Sequence, residues 1–363
     1  MNRGMGYPVF QIANFLLLCV IMPPVIESHI NLQPYNTFKV KAYARYLVRI
    51  NNANDLLSLL SQPVFKENKR FILGGGSNIL FLNDFNGLII KTEEQEINVL
   101  SEREDDISIQ VASGVVWHNL VMTCLENNWG GVENLSLIPG TVGAAPIQNI
   151  GAYGVEIKNV VQKVEGIDLL TGEHRSFTNS ECQFSYRDSI FKQELKKNFF
   201  ISSVTLRLTK KNHHINSSYH TLKKQLESNN IINPTIQDVS GAVIQVRKSR
   251  LPDPAVIGNA GSFFKNPIVT KKLADDLKKR WPAMPVYPFE NQSFKVSAGW
   301  LIEHTGWKGK SLGNAGVHEH QALVIVNHSN SSGKEIFTLS QKICNDVKNK
   351  FGITLSGEVS LIA

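Results

Sequence analysis

Three side chains in this sequence stand where charge or a proton could be handled. Arg187 lies between Tyr186 and Asp188, with Phe184 before it and Ile190-Phe191 after it. A guanidinium is always charged and its planar fork fits a carboxylate, so this run is either a carboxylate receptor or an exposed Arg–Asp pair. Ser262 sits in Gly258-Asn259-Ala260-Gly261-Ser262-Phe263-Phe264-Lys265-Asn266-Pro267. It is not a hydrolase elbow, because Ala260 and Phe264 occupy the places where Gly-x-Ser-x-Gly needs glycine. Its hydroxyl either caps a helix or delivers a proton in a dry pocket. Glu358, in Leu355-Ser356-Gly357-Glu358-Val359, is a lone acid on an expected strand. It is a surface carboxylate, or a functional one if it is aimed inward opposite an arginine.

Two glycine-rich stretches could hold a ligand beside these groups. Arg70-Phe71-Ile72-Leu73 reads as a strand and runs into Gly74-Gly75-Gly76-Ser77-Asn78, after which Ile79-Leu80-Phe81-Leu82 is strand-like again. A dinucleotide or P-loop fingerprint would open a helix at this point, and none follows. The turn is therefore either a plain hairpin or a nest of backbone N–H groups that binds an anion. From Asn134 to Val155 there is no charged residue, with Gly140, Gly143, Gly151, Gly154, Pro139 and Pro146 breaking any helix. Small residues punctuated by Thr141, Gln148 and Asn149 suit backbone packed against a large flat ligand, or else a buried structural loop. The two stretches lie about 60 residues apart, so one extended cofactor touching both is the economical reading.

The elements that must position these residues can be read from periodicity. Val40 to Leu60 starts as a strand and ends as a helix; residues 87–116 alternate as strands; a helix is expected over Trp117–Asn127 and a strand over Phe199–Leu208. Residues 210–233 form a polar insertion with one short helix. Helices at 239–248, 270–280, 297–304 and 333–350 alternate with short strands as a separate α+β unit. A last strand, Ile353 to Ile362, returns to a sheet. The 363 residues, 42% hydrophobic and 19% charged, are those of a globular chain of two or three domains. The net charge of +7 is dispersed, and without a nucleic-acid-binding motif it favours a small anionic substrate over nucleic acid. Cys19, Cys124, Cys182 and Cys344 have no paired spacing, which argues against disulfides or zinc and fits a reducing compartment. His318-Glu319-His320 is a tight cluster read as surface rather than metal site. Residues 4–26 lack charge, and Phe15–Met22 resembles a signal core, yet Arg3 is the only base before it and no small-x-small site precedes Glu27. This segment is a signal or anchor, or an extension ahead of a start at Met22.

Taken together and in order, Gly74 to Leu82, Ile138-Pro139-Gly140 through Gly154, Tyr186 to Phe191, Leu251-Pro252-Asp253-Pro254, Gly258 through Pro267 and Gly299-Trp300-Leu301-Ile302 resemble the UDP-N-acetylenolpyruvoylglucosamine reductases, in the longer-looped type. The resemblance covers roughly Ser28 to the C-terminus. It implies an α+β fold: a vanillyl-alcohol-oxidase/PCMH-type FAD domain of two subdomains, 28–95 and 96–238 with the insertion 210–233, a substrate domain over 239–351, and a strand over 352–363 returning to the active site. Residues 1–27 have no counterpart. FAD would be held non-covalently by Gly74, Gly75, Gly76, Ser77, Asn78, Pro139, Gly140, Ile147 and Gly151. NADPH would reduce the flavin, and a UDP-linked enolpyruvyl sugar would reoxidise it in peptidoglycan precursor synthesis. By the same resemblance Arg187 and Glu358 stabilise the enolate-like state and Ser262 supplies the proton. Tyr219, Arg250, Asn266 and Gln321 would contact substrate, with no metal. Arg250 stands where the family pattern has lysine. A cytoplasmic monomer without nucleic-acid or membrane partner is expected. Rival readings are a flavin-binding protein without catalysis, and an oxidase of the same superfamily.

Overall fold

A computed structural model describes residues 23–363; the signal-like run Phe15–Met22 lies outside the described residues. Three units follow one another. In the first, Tyr43–Ile50, Phe85–Thr92 and Lys69–Leu73 form parallel pairs, and Ile26–Asn31 adds an antiparallel edge to Tyr43–Ile50. Helices Ala53–Leu60 and Pro63–Glu67 make the crossover that a parallel pair requires. Asn52 starts the first of them by accepting the Asp55 N–H at 3.0 Å. Leu56 and Leu59 then pack on Val48, Ile50, Leu88 and Ile90 of the sheet.

The second unit is a five-stranded antiparallel sheet in the order His174–Thr178, Val161–Asp168, Phe199–Thr209, Asp106–Ala112, Ile97–Glu102. Its inner face packs on the helix Trp117–Glu126, which buries Trp117, Leu120, Val121, Cys124 and Leu125. The insertion contributes the helix His220–Ser228, whose Leu222 and Leu226 meet Val239, Ala242 and Val243 of the helix Ile236–Arg250. The division expected between 238 and 239 falls inside this last helix. The helix packs on the second unit, through the Ser136–Ser240 hydroxyl pair at 2.7 Å and through Ile236.

The third unit holds the antiparallel sheet Gly258–Ser262, Val324–Asn327, Ala315–Val317, Ser311–Leu312 and a smaller one of Ile268–Thr270, Ser293–Val296 and Val286–Pro288. Across it lies the helix Gly333–Phe351, whose Ile336, Leu339, Ile343, Val347 and Phe351 form one buried stripe at three- and four-residue spacing. Expected helices at 270–280 and 297–304 correspond to Lys271–Arg280 and Ala298–His304. The expected final strand is shorter than its sequence suggests: only Ser360–Ile362 is a strand, pairing in parallel with Ile79–Phe81, while Gly357 makes a single bridge to Phe264. Residues 353–356 are instead tethered by a side-chain and backbone patchwork, Cys344 Sγ to the Leu355 carbonyl and Lys265 N–H to the Ser356 carbonyl.

Candidate active site

The two glycine-punctuated loops meet. Gly74-Gly75-Gly76 leaves the strand Lys69–Leu73 and lies directly on residues 140–141. A Cβ on Gly74 would stand 2.7 Å from Thr141 Oγ1, and one on Gly75 would stand 2.8 Å from Gly140 Cα. Gly76, at a φ of 64°, would drive a Cβ to 2.0 Å from the Tyr35 carbonyl oxygen, so only glycine serves there. Ser77 Oγ donates to the Pro139 carbonyl at 3.1 Å. The Asn78 amide donates to the Gln148 side-chain oxygen and, at 3.3 Å, to the Glu358 carbonyl. The hairpin alternative is thereby removed, because Lys69–Leu73 and Ile79–Phe81 join different sheets.

Thr141 Oγ1 is sealed at this junction without a hydrogen-bond partner. Leaving a buried hydroxyl unpaired costs about 1–3 kcal/mol, so a polar ligand lying along the loops has a waiting partner. That orphan, and a wall of glycines with no room for side chains, fit a flat polar cofactor. The wall continues through Ile147, half-exposed with its carbonyl accepting from Ser189 Oγ at 2.7 Å, to Gly151, where a Cβ would lie 3.3 Å from an Arg187 terminal nitrogen.

Arg187 therefore stands at the end of the cradle. A bridge between Ser185 and Asp188 closes its turn, and Arg187 takes a φ of 57°, a left-handed backbone uncommon outside glycine. The turn is held by Lys192 Nζ and Lys265 Nζ, which donate to the Arg187 carbonyl at 3.1 and 3.5 Å. Glu358 does point inward, with Oε1 2.9 Å from Arg187 Nε. The N–H is not in line with that oxygen, and Nε stays buried without a hydrogen-bond partner. The arginine is thus paired in charge yet keeps a free donor. Lys192 is drawn down from its ordinary value by burial first, then by the Lys265 charge, with Glu358 and Asp188 opposing. Lys192 and Lys265 stand with Arg187 against Glu358 and Asp188, and Glu156 on the Gly151 side is itself paired with Lys158, so cations predominate around the guanidinium, which suits a carboxylate ligand. Lys295 adds to this side: its Nζ lies 3.8 Å from the Tyr186 ring centre and 4.0 Å from that of Phe289, and burial lowers it too.

Ser262 ends the strand Gly258–Ser262 and does not cap a helix. A bulge between Asn259 and Ser262, with Gly261 at a φ of 67°, re-aims the chain there. Glu358 N–H donates to the Phe263 carbonyl at 2.8 Å, so the serine and the carboxylate sit on adjoining segments. Glu358 itself lies in a bend just ahead of the strand Ser360–Ile362, not within a strand.

The remaining expected contacts fall into two groups. Tyr219 precedes the helix His220–Ser228, half-exposed, its ring edge-on to Tyr153 at 5.5 Å. Arg250 ends the helix Ile236–Arg250 close enough to Tyr153 for its charge to act on that hydroxyl, which burial pushes up. Asn266 Oδ1 accepts the Ala298 N–H at 2.9 Å, and Gln321 Oε1 lies 3.8 Å from where a Gly299 Cβ would be, so these two share one helix start. The Tyr186 hydroxyl lies near the Asn266 backbone, which brings that group beside the arginine turn. His318-Glu319-His320 is at the surface, and no metal-holding group occurs among the described residues.

Tyr153, Lys192 and Lys295 stand beside these residues without having been singled out in the sequence. Tyr153 is visible inside an uncharged glycine loop; the two lysines look, in one dimension, like any solvated face.

Comparison with known proteins adds independent findings. The sequence profile of an FAD binding domain matches residues 44–178, and that of the UDP-N-acetylenolpyruvoylglucosamine reductase C-terminal domain matches residues 253–362. The chain is 45% identical over 337 residues to the UDP-N-acetylenolpyruvoylglucosamine reductase of Flavobacterium johnsoniae, covering 93% of this chain and 99% of that protein. It is 44% identical over 333 residues to the protein of that name from Chromobacterium violaceum, covering 92% and 97%. The crystal structure of the Thermus caldophilus UDP-N-acetylenolpyruvylglucosamine reductase superposes with a TM-score of 0.66 at 22% identity, over 94% of this chain and all of that one. That likeness speaks for the fold, which is the expected α+β arrangement.

Proposed function

The chain belongs to the UDP-N-acetylenolpyruvoylglucosamine reductase family, and from that premise we propose how its residues carry out the reduction. The reaction converts a UDP-linked enolpyruvyl amino sugar to UDP-N-acetylmuramate with NADPH, in peptidoglycan precursor synthesis. Bound FAD supplies the hydride relay between the two nucleotides. Gly74 to Asn78 and Pro139 to Gly151 hold it, with Thr141 Oγ1 as a donor that has no other partner.

The observation that carries this reading is the Arg187–Glu358 contact at 2.9 Å, placed where both loops end. Arg187 offers its unused Nε–H to the substrate carboxylate, whose negative charge grows as the vinyl group is reduced. A fixed cation aimed at developing charge needs no reorganisation during reaction. Glu358 and the backbone bonds from Lys192 and Lys265 hold that guanidinium in place. Ser262 Oγ gives its proton to the carbon beside the carboxylate. Tyr219 and Arg250 take the diphosphate, and Asn266 and Gln321 contact the substrate from the start of the helix Ala298–His304. Because both nucleotides are cytoplasmic metabolites, the same compartment is assigned to this chain, acting as a monomer.

Stopped-flow on the yellow protein tests the assignment. Ser262→Ala should leave flavin bleaching by NADPH near the wild-type rate and slow its recovery with the enolpyruvyl substrate by about 100-fold or more. Equal loss in both half-reactions would remove Ser262 from the proton step. A protein that bleaches but recovers only with oxygen would favour the oxidase reading.

A further inference from the structure

The outer face of the five-stranded sheet carries a groove that the reduction does not use. Along Phe199–Thr209, Val204, Leu206 and Leu208 pack into the core that holds the flavin-loop residues Val142, Ala145 and Ile150. Thr205 and Arg207 alternate with them and line the groove on the opposite face. Two irregularities of register shape it. Pairing slips between Val161 and Lys163 on one side and between Val99 and Ser101 on the other, so Gln162 and Leu100 are extra residues. Both line the groove, from strands separated by Phe199–Thr209 and Asp106–Ala112. A bulge bends its strand and re-aims a side chain, and two of them flanking the middle strands give this face its hollow. The hollow measures about 370 Å³, within the roughly 300–1,000 Å³ of small-molecule sites.

Three of its charged side chains are cations, Arg103, Lys163 and Arg207, against one carboxylate, Asp106. Asp106 is engaged by Arg207 at 2.7 Å, and Glu165 beside the groove by Lys163 at 2.8 Å. Glu102 and Glu104 of the neighbouring hairpin pair with Lys210 and Lys211. The Arg103 charge reaches Asp106, yet its guanidinium enters no ion pair and no hydrogen bond among the described residues. Its backbone is pinned, by its N–H to the Asp106 carbonyl at 2.8 Å and by Lys210 Nζ to its own carbonyl at 3.1 Å. At the floor Thr205 is 3% exposed, and its Oγ1 is sealed without a hydrogen-bond partner. Ser108, also buried, stands opposite Arg207 on the adjoining strand. A buried unpaired hydroxyl is costly to keep, and a ligand oxygen relieves it once Lys163, its cross-strand neighbour, swings aside.

We propose that this groove is a second ligand site, for a small phosphorylated sugar. Arg103, Arg207 and Lys163 take the phosphate, while Thr205, Ser108 and Gln162 take sugar hydroxyls. A bare phosphate leaves the hydroxyl floor unmet, and an uncharged sugar leaves the cations unmet. The site lies across the sheet from the flavin loops and does not depend on the reductase reading.

The test titrates glucose 6-phosphate, inorganic phosphate and glucose into the FAD-loaded full chain by calorimetry, for the wild type, Arg103→Gln and Thr205→Val. The wild type should bind glucose 6-phosphate about tenfold more tightly than either fragment, with no change in the flavin spectrum. Arg103→Gln should weaken that binding about tenfold and Thr205→Val about fivefold. Without ligand, Thr205→Val should melt no lower than the wild type, because the lost hydroxyl had no partner, and both variants should turn over normally. No binding by the wild type, equal affinity for phosphate or glucose, or undiminished affinity in either variant would overturn the proposal. A flavin band that moves with glucose 6-phosphate, equally in the wild type and both variants, would put the ligand in the substrate site and overturn it as well. Should Thr205→Val fail to fold, Arg103→Gln, altered at an exposed position, decides alone.

Discussion

At the scale of single residues, the glycines of the flavin wall are set by contact, not by turn preference alone. Gly75 has no positive φ to require it; what excludes a side chain is the Gly140 backbone 2.8 Å from the missing Cβ. Gly75→Ala must push the two loops apart, and Ser77–Pro139 and Asn78–Gln148 stretch with them. The expected outcome is a folded protein with a sub-stoichiometric flavin content, checked by the ratio of flavin to protein absorbance after purification. An alanine variant that keeps a full complement of FAD would mean that the loops do not close on it at this point.

At the scale of elements, the helix Ile236–Arg250 links local sequence signals to the site. Thr235 and Asp238 form a capping box: Asp238 accepts the Thr235 N–H at 2.9 Å and its hydroxyl at 2.7 Å, and Asp238 N–H returns to Thr235 Oγ1 at 3.2 Å. These bonds, the backbone one first, hold the Asp238 carboxyl below its ordinary range. The sign follows directly. A carboxyl depressed in the fold contributes stability that is present above the unfolded value and is lost as pH falls through the folded one. Asp238→Asn should therefore lower Tm at neutral pH, the difference closing in acid below the usual aspartate range; Thr235→Ala should cost about 1 kcal/mol. A Tm difference that persists unchanged into acid would show that the carboxylate charge is not the source. This helix was legible in sequence to within three residues at its start because cap, stripe and basic C-terminus agree. Its allegiance was not legible. The helix joins the second unit through Ile236 and the Ser136–Ser240 pair and is covered by Leu222 and Leu226 of the insertion, and side-chain complementarity across separate segments leaves no local trace.

At the scale of the whole molecule, the same distinction holds. Both glycine loops, Arg187, Ser262 and Glu358 stand out by residue type, and their convergence was a reasonable expectation. What sequence could not yield is how the convergence is built: a three-residue parallel pairing between Ile79–Phe81 and Ser360–Ile362 at the C-terminus, far apart in the chain. So short a strand has no periodicity to read, and its partner lies beyond any local signal. The pairing closes the molecule. Val359 packs into the third unit and Ile362 into the first, while Ser360 N–H donates to the Asn78 carbonyl at 3.0 Å. Glu358 is thus positioned by a strap that ties the substrate unit to the flavin loop. Ile362→Ala should remove part of that strap, lowering stability by about 2 kcal/mol and Tm by several degrees. On the proposed role of Glu358 at the enolpyruvyl group, flavin reoxidation by substrate should slow more than flavin reduction. Thermal melts beside the two stopped-flow half-reactions separate the effects. Parallel slowing of both would mean that the strap supports the fold generally and does not set the position of the carboxylate.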